Sequence, residues 1–336
     1  MNLSAALDQF EDICLTALSN ATFLDKKEKV RKSLGGRLKR LVLDVVLLYV
    51  VLPRKINFTQ MEKYGKHTEK TYRDAFCTVI DWFHANFSLL MQVSKPTDRL
   101  ANAIDPSYIS KSGKQTPWTG KFWSGCASSA KWGLEILGIA ALNIDQHDAF
   151  ALKAVQTPDT KTLEKAGLSL YKWYADVIVR YEKELMYVSK YIVADAAFSK
   201  DTFINVIMEH GFQLKTKVFF STDTEMSGED VIAYYRTRFQ IEFCFRDAKE
   251  FTGLCDCQAR SKDKLDFAFN ASLFAVNAAK VFRYKSDRSI SMSTFKSLMV
   301  NQYLCKRIFS MSGFRPNMRF IKMFNQALVE FQLDAC

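Results

Sequence analysis

Residues 234–249 read YYRTRFQIEFCFRDAK. At roughly 100° per residue on a helix, Tyr235, Arg238, Glu242, Arg246 and Lys249 fall within an arc of roughly 80°. Phe239 and Phe243 flank that arc on one side, Ile241 and Phe245 on the other. The stretch therefore predicts a helix with a polar seam between two apolar shoulders. Packing on both shoulders partly buries Glu242, and a buried carboxylate without partners is very costly. Arg238, one turn earlier, is placed to pair with it. An internal ion pair accounts for those two residues. It does not account for two more cations and a tyrosine on the same seam, which suit an anionic ligand such as a phosphate.

Two acids elsewhere close short apolar runs: Asp105 ends RLANAID and Asp195 ends KYIVAD. An Asp at the carboxyl end of a strand lies at the rim of a sheet, where α/β sites are built, although each is also an ordinary turn residue. With Glu242 they make three carboxylates and no histidine, an all-oxygen set suited to Mg²⁺, with Mn²⁺ able to substitute. Two such ions roughly 3.5–4 Å apart activate water or a 3′-hydroxyl and stabilise the leaving oxygen of an in-line phosphoryl displacement. Arg238 and Lys249 would hold a DNA backbone beside them.

Around these residues the pattern alternates. KWGLEILGIAALNI and DAFALKAVQT read as adjacent strands joined by a polar turn at DQHD. The segment from Thr160 to Tyr187 has a helical period, KYIVADAAF reads as a strand, and KDTFINVIMEHG as an amphipathic helix stopped by Gly211. FQLKTKVFFST reads as another strand, and a second apolar helix runs from about Lys264 to Lys285. The order predicts an α/β fold: a mixed sheet flanked by helices, its first three strands an antiparallel meander. Residues 1–95 read as an all-helical front, 96–285 as the core and 286–336 as a C-terminal helical segment. Within the front, a break at Gly65 between two helical patterns resembles a helix-turn-helix; a plain helical hairpin fits equally. Lys66, His67, Lys70 and Arg73 form the exposed set on its second helix, a candidate DNA contact.

The chain has 336 residues with 47 Lys and Arg against 36 Asp and Glu, a formal charge of +11. That excess favours a polyanionic partner such as DNA or RNA, though a merely basic protein carries it too. Eight cysteines include no CxxC pair. Cys255 and Cys257 are too close for a relaxed disulfide and lack a nearby histidine, so reduced cytosolic thiols are expected. The first residues lack the basic region of a signal peptide. LVLDVVLLYVVLP is short for a bilayer and contains Asp44, so it reads as a buried helix, with no membrane partner. HExxH, Walker and GxG-type motifs are absent, and WTGKFWSG offers Trp118, Lys121 and Trp123 either to bases or to ordinary packing.

Tyr235, Arg238, Glu242 and Lys249 reproduce the Y-(2)-R-(3)-E-(6)-K signature, and the chain resembles DDE transposases of the insertion-sequence-4 family over about residues 96–285. YYRTRFQIE is similar to that family's YxxRWxIE, with Phe239 where Trp is common. VADAAFSKDTFINVIMEHGF and AIDPSYI resemble its second- and first-aspartate segments. The resemblance implies an RNase H-like core with Asp105, Asp195 and Glu242 as catalytic metal ligands. It implies that Tyr235, Arg238 and Lys249 contact DNA near the transferred end, and Arg246, on the same seam, is a further candidate DNA contact. It further implies terminal inverted repeats and target DNA as partners, a dimer in the synaptic complex, and a cytoplasmic, nucleoid-associated bacterial protein. One departure is plain: the β-rich insertion usual before the Glu helix is nearly missing, with 47 positions separating Asp195 from Glu242. An impaired derivative that binds element ends as a repressor, or another RNase H-like nuclease, remain as alternatives.

Overall fold

The computed structural model describes residues 5–313 except 54, 114, 216–222, 224 and 287–289, with 317, 319, 320, 323 and 327 beyond them. The front holds α1 (Ala5–Ser19), β1 (Thr22–Asp25), β2 (Val30–Ser33), α2 (Gly36–Val51), α3 (Phe58–Tyr64), α4 (Glu69–Ala75), β3 (Val79–Ile80) and α5 (Trp82–Met91). It is not all-helical as expected: β2, β1 and β3 form a small antiparallel sheet. The Asp25 carboxylate accepts from the amides of Lys27 and Glu28 at 3.0 and 3.4 Å, and Lys29 adopts φ 57°. Such local bonds offer the backbone an alternative to the helix its composition favours.

The apolar run of α2 is buried against its neighbours, and Asp44 within it accepts the Tyr72 hydroxyl. Among the described residues no helix is long and apolar enough to cross a membrane. Between α3 and α4 a side chain at Gly65 would run into Tyr72 and the Met61 carbonyl, which is why the break needs glycine.

The remainder contains β4 (Leu100–Ser110), β5 (Gly120–Ser124), β6 (Ser129–Asn143), β7 (Asp148–Gln156), α6 (Thr160–Lys165), α7 (Leu170–Arg180), α8 (Glu182–Val188), β8 (Tyr191–Val193), α9 (Asp201–Glu209) and β9 (Gln213–Lys215). Then follow α10 (Gly228–Arg238), α11 (Gln240–Phe251), α12 (Lys262–Lys285) and α13 (Met292–Ser312). The sheet is mixed. β4 and β7 flank β6 antiparallel and β5 pairs its first residues, while β4, β8 and β9 run parallel. This is the expected α/β arrangement with its meander. Of the strand expected over 212–222, β9 covers 213–215 and residues 216–222 lie outside the described ones.

The first aspartate does not end its strand. β4 runs five residues further, and Asp105 pairs across from Gly138 of β6. Its parallel neighbour β8 stops at Val193, opposite Ala103, so Asp105 stands where one side of β4 has lost its partner.

The edge of β7 away from β6 is covered by side chains of α12. Asn270 donates to the Ala154 carbonyl at 3.1 Å and accepts its amide at 2.8 Å; Asn277 does the same for Ala151 at 2.8 and 3.2 Å. Leu152, unpaired between them, bonds Asn86 of α5 through its carbonyl at 3.0 Å, and Asn86 accepts from Asn277 at 2.8 Å. Front helix, edge strand and α12 thus share one core. An open strand edge would otherwise bury unpaired amides and carbonyls. Asn277→Leu is expected to lower unfolding free energy by about 2–6 kcal/mol, because two buried backbone groups lose partners at roughly 1–3 kcal/mol each. Urea titration checks it; an unchanged midpoint would show that the edge is satisfied otherwise.

Candidate active site

Ser227 caps α10, its side chain accepting the Asp230 amide at 3.1 Å, and Glu229 and Asp230 complement the helix dipole in the first turn. Arg99, just before β4, pairs with Asp230 and with Asp145 of the β6–β7 turn, both at 2.7 Å. The single helix expected over 234–249 is interrupted at Phe239, between α10 and α11. Two residues before the break, the Thr237 hydroxyl bonds back to the Ala233 carbonyl at 2.9 Å, a contact that bends helices.

Only one shoulder of the seam packs. Ile241 and Phe245 are buried, whereas Phe239 and Phe243 are 43% and 41% exposed. The expectation of two buried shoulders fails because α11 lies on the sheet along one face and nothing described covers the other. Gly138 sets that approach: any side chain there would run into the Phe245 ring. Since Gly138 pairs with Asp105, the same close contact brings α11 over the first aspartate.

Arg238, 3% exposed, then lies between the two elements. Its Nη1 is 3.4 Å from Asp105 Oδ1 and its Nη2 3.1 Å from Glu242 Oε1, while Nε has no partner among the described residues. Asp195 follows β8 by two residues, as Asp105 follows the Ala103–Val193 pair, so the two aspartates occupy equivalent places on neighbouring parallel strands. Asp195 Oδ1 also accepts the Ala196 amide at 2.6 Å, opening a short 3₁₀ turn. Burial pushes the Asp105 carboxyl up to about 7; Arg238 and Lys249 oppose this, and the charges of Glu242 and Asp195 reinforce it. The three sequence-predicted acids are therefore electrostatic neighbours, with Arg238 and Lys249 among them.

Other members of the seam diverge. Arg246 turns outward, bonding Asp247 Oδ1 at 3.1 Å and lying 4.6 Å from the centre of the Phe243 ring. Tyr235 is buried, its ring centre 5.6 Å from the Arg238 guanidinium. Lys66, Lys70 and Arg73 are exposed around α4, as expected, with Lys70 paired to Asp74 at 2.8 Å and Arg73 to Glu69. Trp118 stacks under Lys262 at 3.5 Å, while Trp123 and Trp132 of the β5–β6 hairpin stand out into solvent. The seven described cysteines are free thiols.

Among the described residues, no group of three His, Cys, Asp or Glu side chains is arranged to hold a metal ion as it stands. A cation already sits between Asp105 and Glu242: the Arg238 guanidinium. The donor chemistry nevertheless fits a hard divalent ion, because all three acids are carboxylates, and Asp105, raised chiefly by burial, is raised further by the charges of the other two. Gly138 was the residue that sequence reasoning passed over; a lone glycine within an apolar strand is the signal that would have found it.

The chain matches no protein-family model and no curated protein.

Two outcomes follow from this geometry. A carboxyl whose folded pKa lies above its unfolded value of 3.8 binds its proton more tightly in the folded protein. Its contribution to stability is then full below about pH 4 and lost as pH rises to about 7. Metal-free wild type should lose stability relative to Asp105→Asn across that window in melts at stepped pH; parallel curves would refute the shift. Gly138→Ala should destabilise by about 1–3 kcal/mol through overpacking against Phe245, read from urea midpoints.

Proposed function

We propose that the chain is a metal-dependent DNA transposase that cuts at element ends and joins them to a target. The observation that carries this reading is the Arg238 guanidinium held between Asp105 of β4 and Glu242 of α11, with the charges of Glu242 and Asp195 both acting on the buried Asp105 carboxyl. The mixed sheet, with acids at equivalent places on two parallel strands, supports an RNase H-like core. The Y-R-E-K spacing adds the resemblance to transposases of the insertion-sequence-4 family.

Asp105, Asp195 and Glu242 would hold Mg²⁺, or Mn²⁺ in its place. When bound, such ions activate water or a 3′-hydroxyl and stabilise the leaving oxygen. Arg238 draws the Asp105 and Glu242 carboxylates toward one point and offsets their repulsion. Tyr235 backs the guanidinium. Lys249, half-buried at the end of the seam, is the cation placed to meet a phosphate beside the acids. Lys66, Lys70 and Arg73 would meet DNA through the front. The exposed pairs of Lys70 and Arg73 are weak in water and exchange readily for phosphate. Inverted repeats and target DNA are the partners, and two copies bring the ends together.

One observation favours a second reading. Arg238 bonds both Asp105 and Glu242, which suits a shortened transposase that holds element ends as a repressor without cutting them. Binding and nicking measured on the same DNA separate the two. With Mg²⁺ or Mn²⁺, wild type should nick and Glu242→Gln should bind equally but nick at least about 100-fold more slowly, a loss of some 2.7 kcal/mol in transition-state stabilisation. Persistent nicking by the variant would remove Glu242 from the chemistry. Binding without nicking by wild type would favour the repressor.

A further inference from the structure

Beyond Asp105, β4 continues to Ser110 and the chain leaves the sheet. The segment after α11 returns beside it, with Lys111 Nζ donating to the Cys257 carbonyl. Between these two segments and the α2–α3 connection lies a cleft of about 730 Å³. Lys55, Lys111 and Arg260 line it from three separate parts of the chain, and Asp256 is the acid on its wall. That carboxylate is already engaged, accepting the Ile56 amide at 2.8 Å.

None of the three cations forms an ion pair among the described residues. Arg260 donates to the neutral side chain of Gln115. Burial holds the Lys111 ammonium below its usual range, and Lys55 and Arg260 depress it further. Like charges gathered in a concave, partly desolvated place focus a positive field, and an anion there relieves their repulsion.

One cation bears on both the cleft and the carboxylates. Lys249 acts both on Asp105 and on Cys255, which lines the cleft. On its other side the cleft meets a second cavity of about 830 Å³, which shares Arg260 and extends to Lys264 and to Arg73 of α4. Basic side chains thus mark a path from the acids to the front. Five residues of β4 separate Asp105 from Ser110, a span of about 17 Å at the rise of a strand. DNA rises about 3.4 Å per base pair along its axis, so a duplex laid along that direction advances about five base pairs over the span.

We propose that the Lys55–Lys111–Arg260 cleft is a second phosphodiester-binding site, seating the DNA backbone about five base pairs along the duplex axis from the bond at the carboxylates. The inference rests on the nucleic-acid reading of that site and adds where the flanking duplex runs.

The test is anisotropy of a fluorescein-labelled 30-base-pair duplex with the full-length protein in EDTA, at stepped salt. Each phosphate contact contributes about 0.9 to the slope of log affinity against log salt. Lys111→Gln and Arg260→Gln, which keep a hydrogen-bond donor, should each weaken binding and lower that slope by about 0.9, with Lys111→Arg restoring it. A merely structural role for Lys111 would leave the slope untouched. If either glutamine variant melts early, Lys55→Gln carries the same expectation at an exposed position. Unchanged affinity and slope in these variants would overturn the proposal. So would variants that lose only competition by inorganic phosphate, which would make the cleft a site for free anions. Absence of duplex binding by wild type would sink the nucleic-acid reading as a whole. Failure to nick in Mg²⁺ bears on the carboxylates and leaves the cleft standing.

Discussion

A single buried guanidinium joins the helical and sheet halves of the candidate site. Arg238 belongs to α10, yet one of its nitrogens answers to a strand aspartate and another to a glutamate on α11. Removing a charge from water is expensive, and only well-placed counter-charges offset it. The arrangement is therefore reciprocal. Asp105 and Glu242 stabilise Arg238 where it is, and Arg238 permits the two acids to approach each other. The high proton affinity of Asp105 comes first from its burial, with the Glu242 and Asp195 charges adding to it.

That interaction requires α11 to lie close to the sheet, and two features of the scaffold provide for it. Gly138 leaves room for the Phe245 ring directly across from Asp105. On the outer strand, asparagines of α12 take the place of a missing neighbour, fixing the helix that α11 packs against. Lys280 continues the same device, donating to the Ala149 carbonyl and to Asp148, both at 2.6 Å. Polar side chains on an apolar helix thus serve the backbone of the strand, which explains why so greasy a segment retains them.

Much of the site was legible because its members lie within a few turns of each other. Helical periodicity alone groups Tyr235, Arg238, Glu242 and Lys249, and the Arg238–Glu242 pair needs only one turn of separation. Apolar runs ending in acids located Asp105 and Asp195. What was not legible depended on partners far along the chain. The length of β4 follows from its pairing with β6 out to Gly133, which no local pattern around Asp105 announces. The open faces of Phe239 and Phe243 depend on which shoulder meets the sheet. In the front, a side chain closing its own turn at Asp25 overrode a charged, helix-favouring composition.

By itself, the sequence determined the element types of the core, the polar seam, the acids and the basic balance, because each is a property of neighbours in the chain. Tertiary structure alone decided that Arg238 bonds two acids at once, that Arg246 turns away, and that Lys55, Lys111 and Arg260 share one cleft. The physical reason is range. Periodicity and turn chemistry act over a few residues, whereas Coulomb forces and close packing act between any groups that the fold brings within a few ångströms, however distant in sequence.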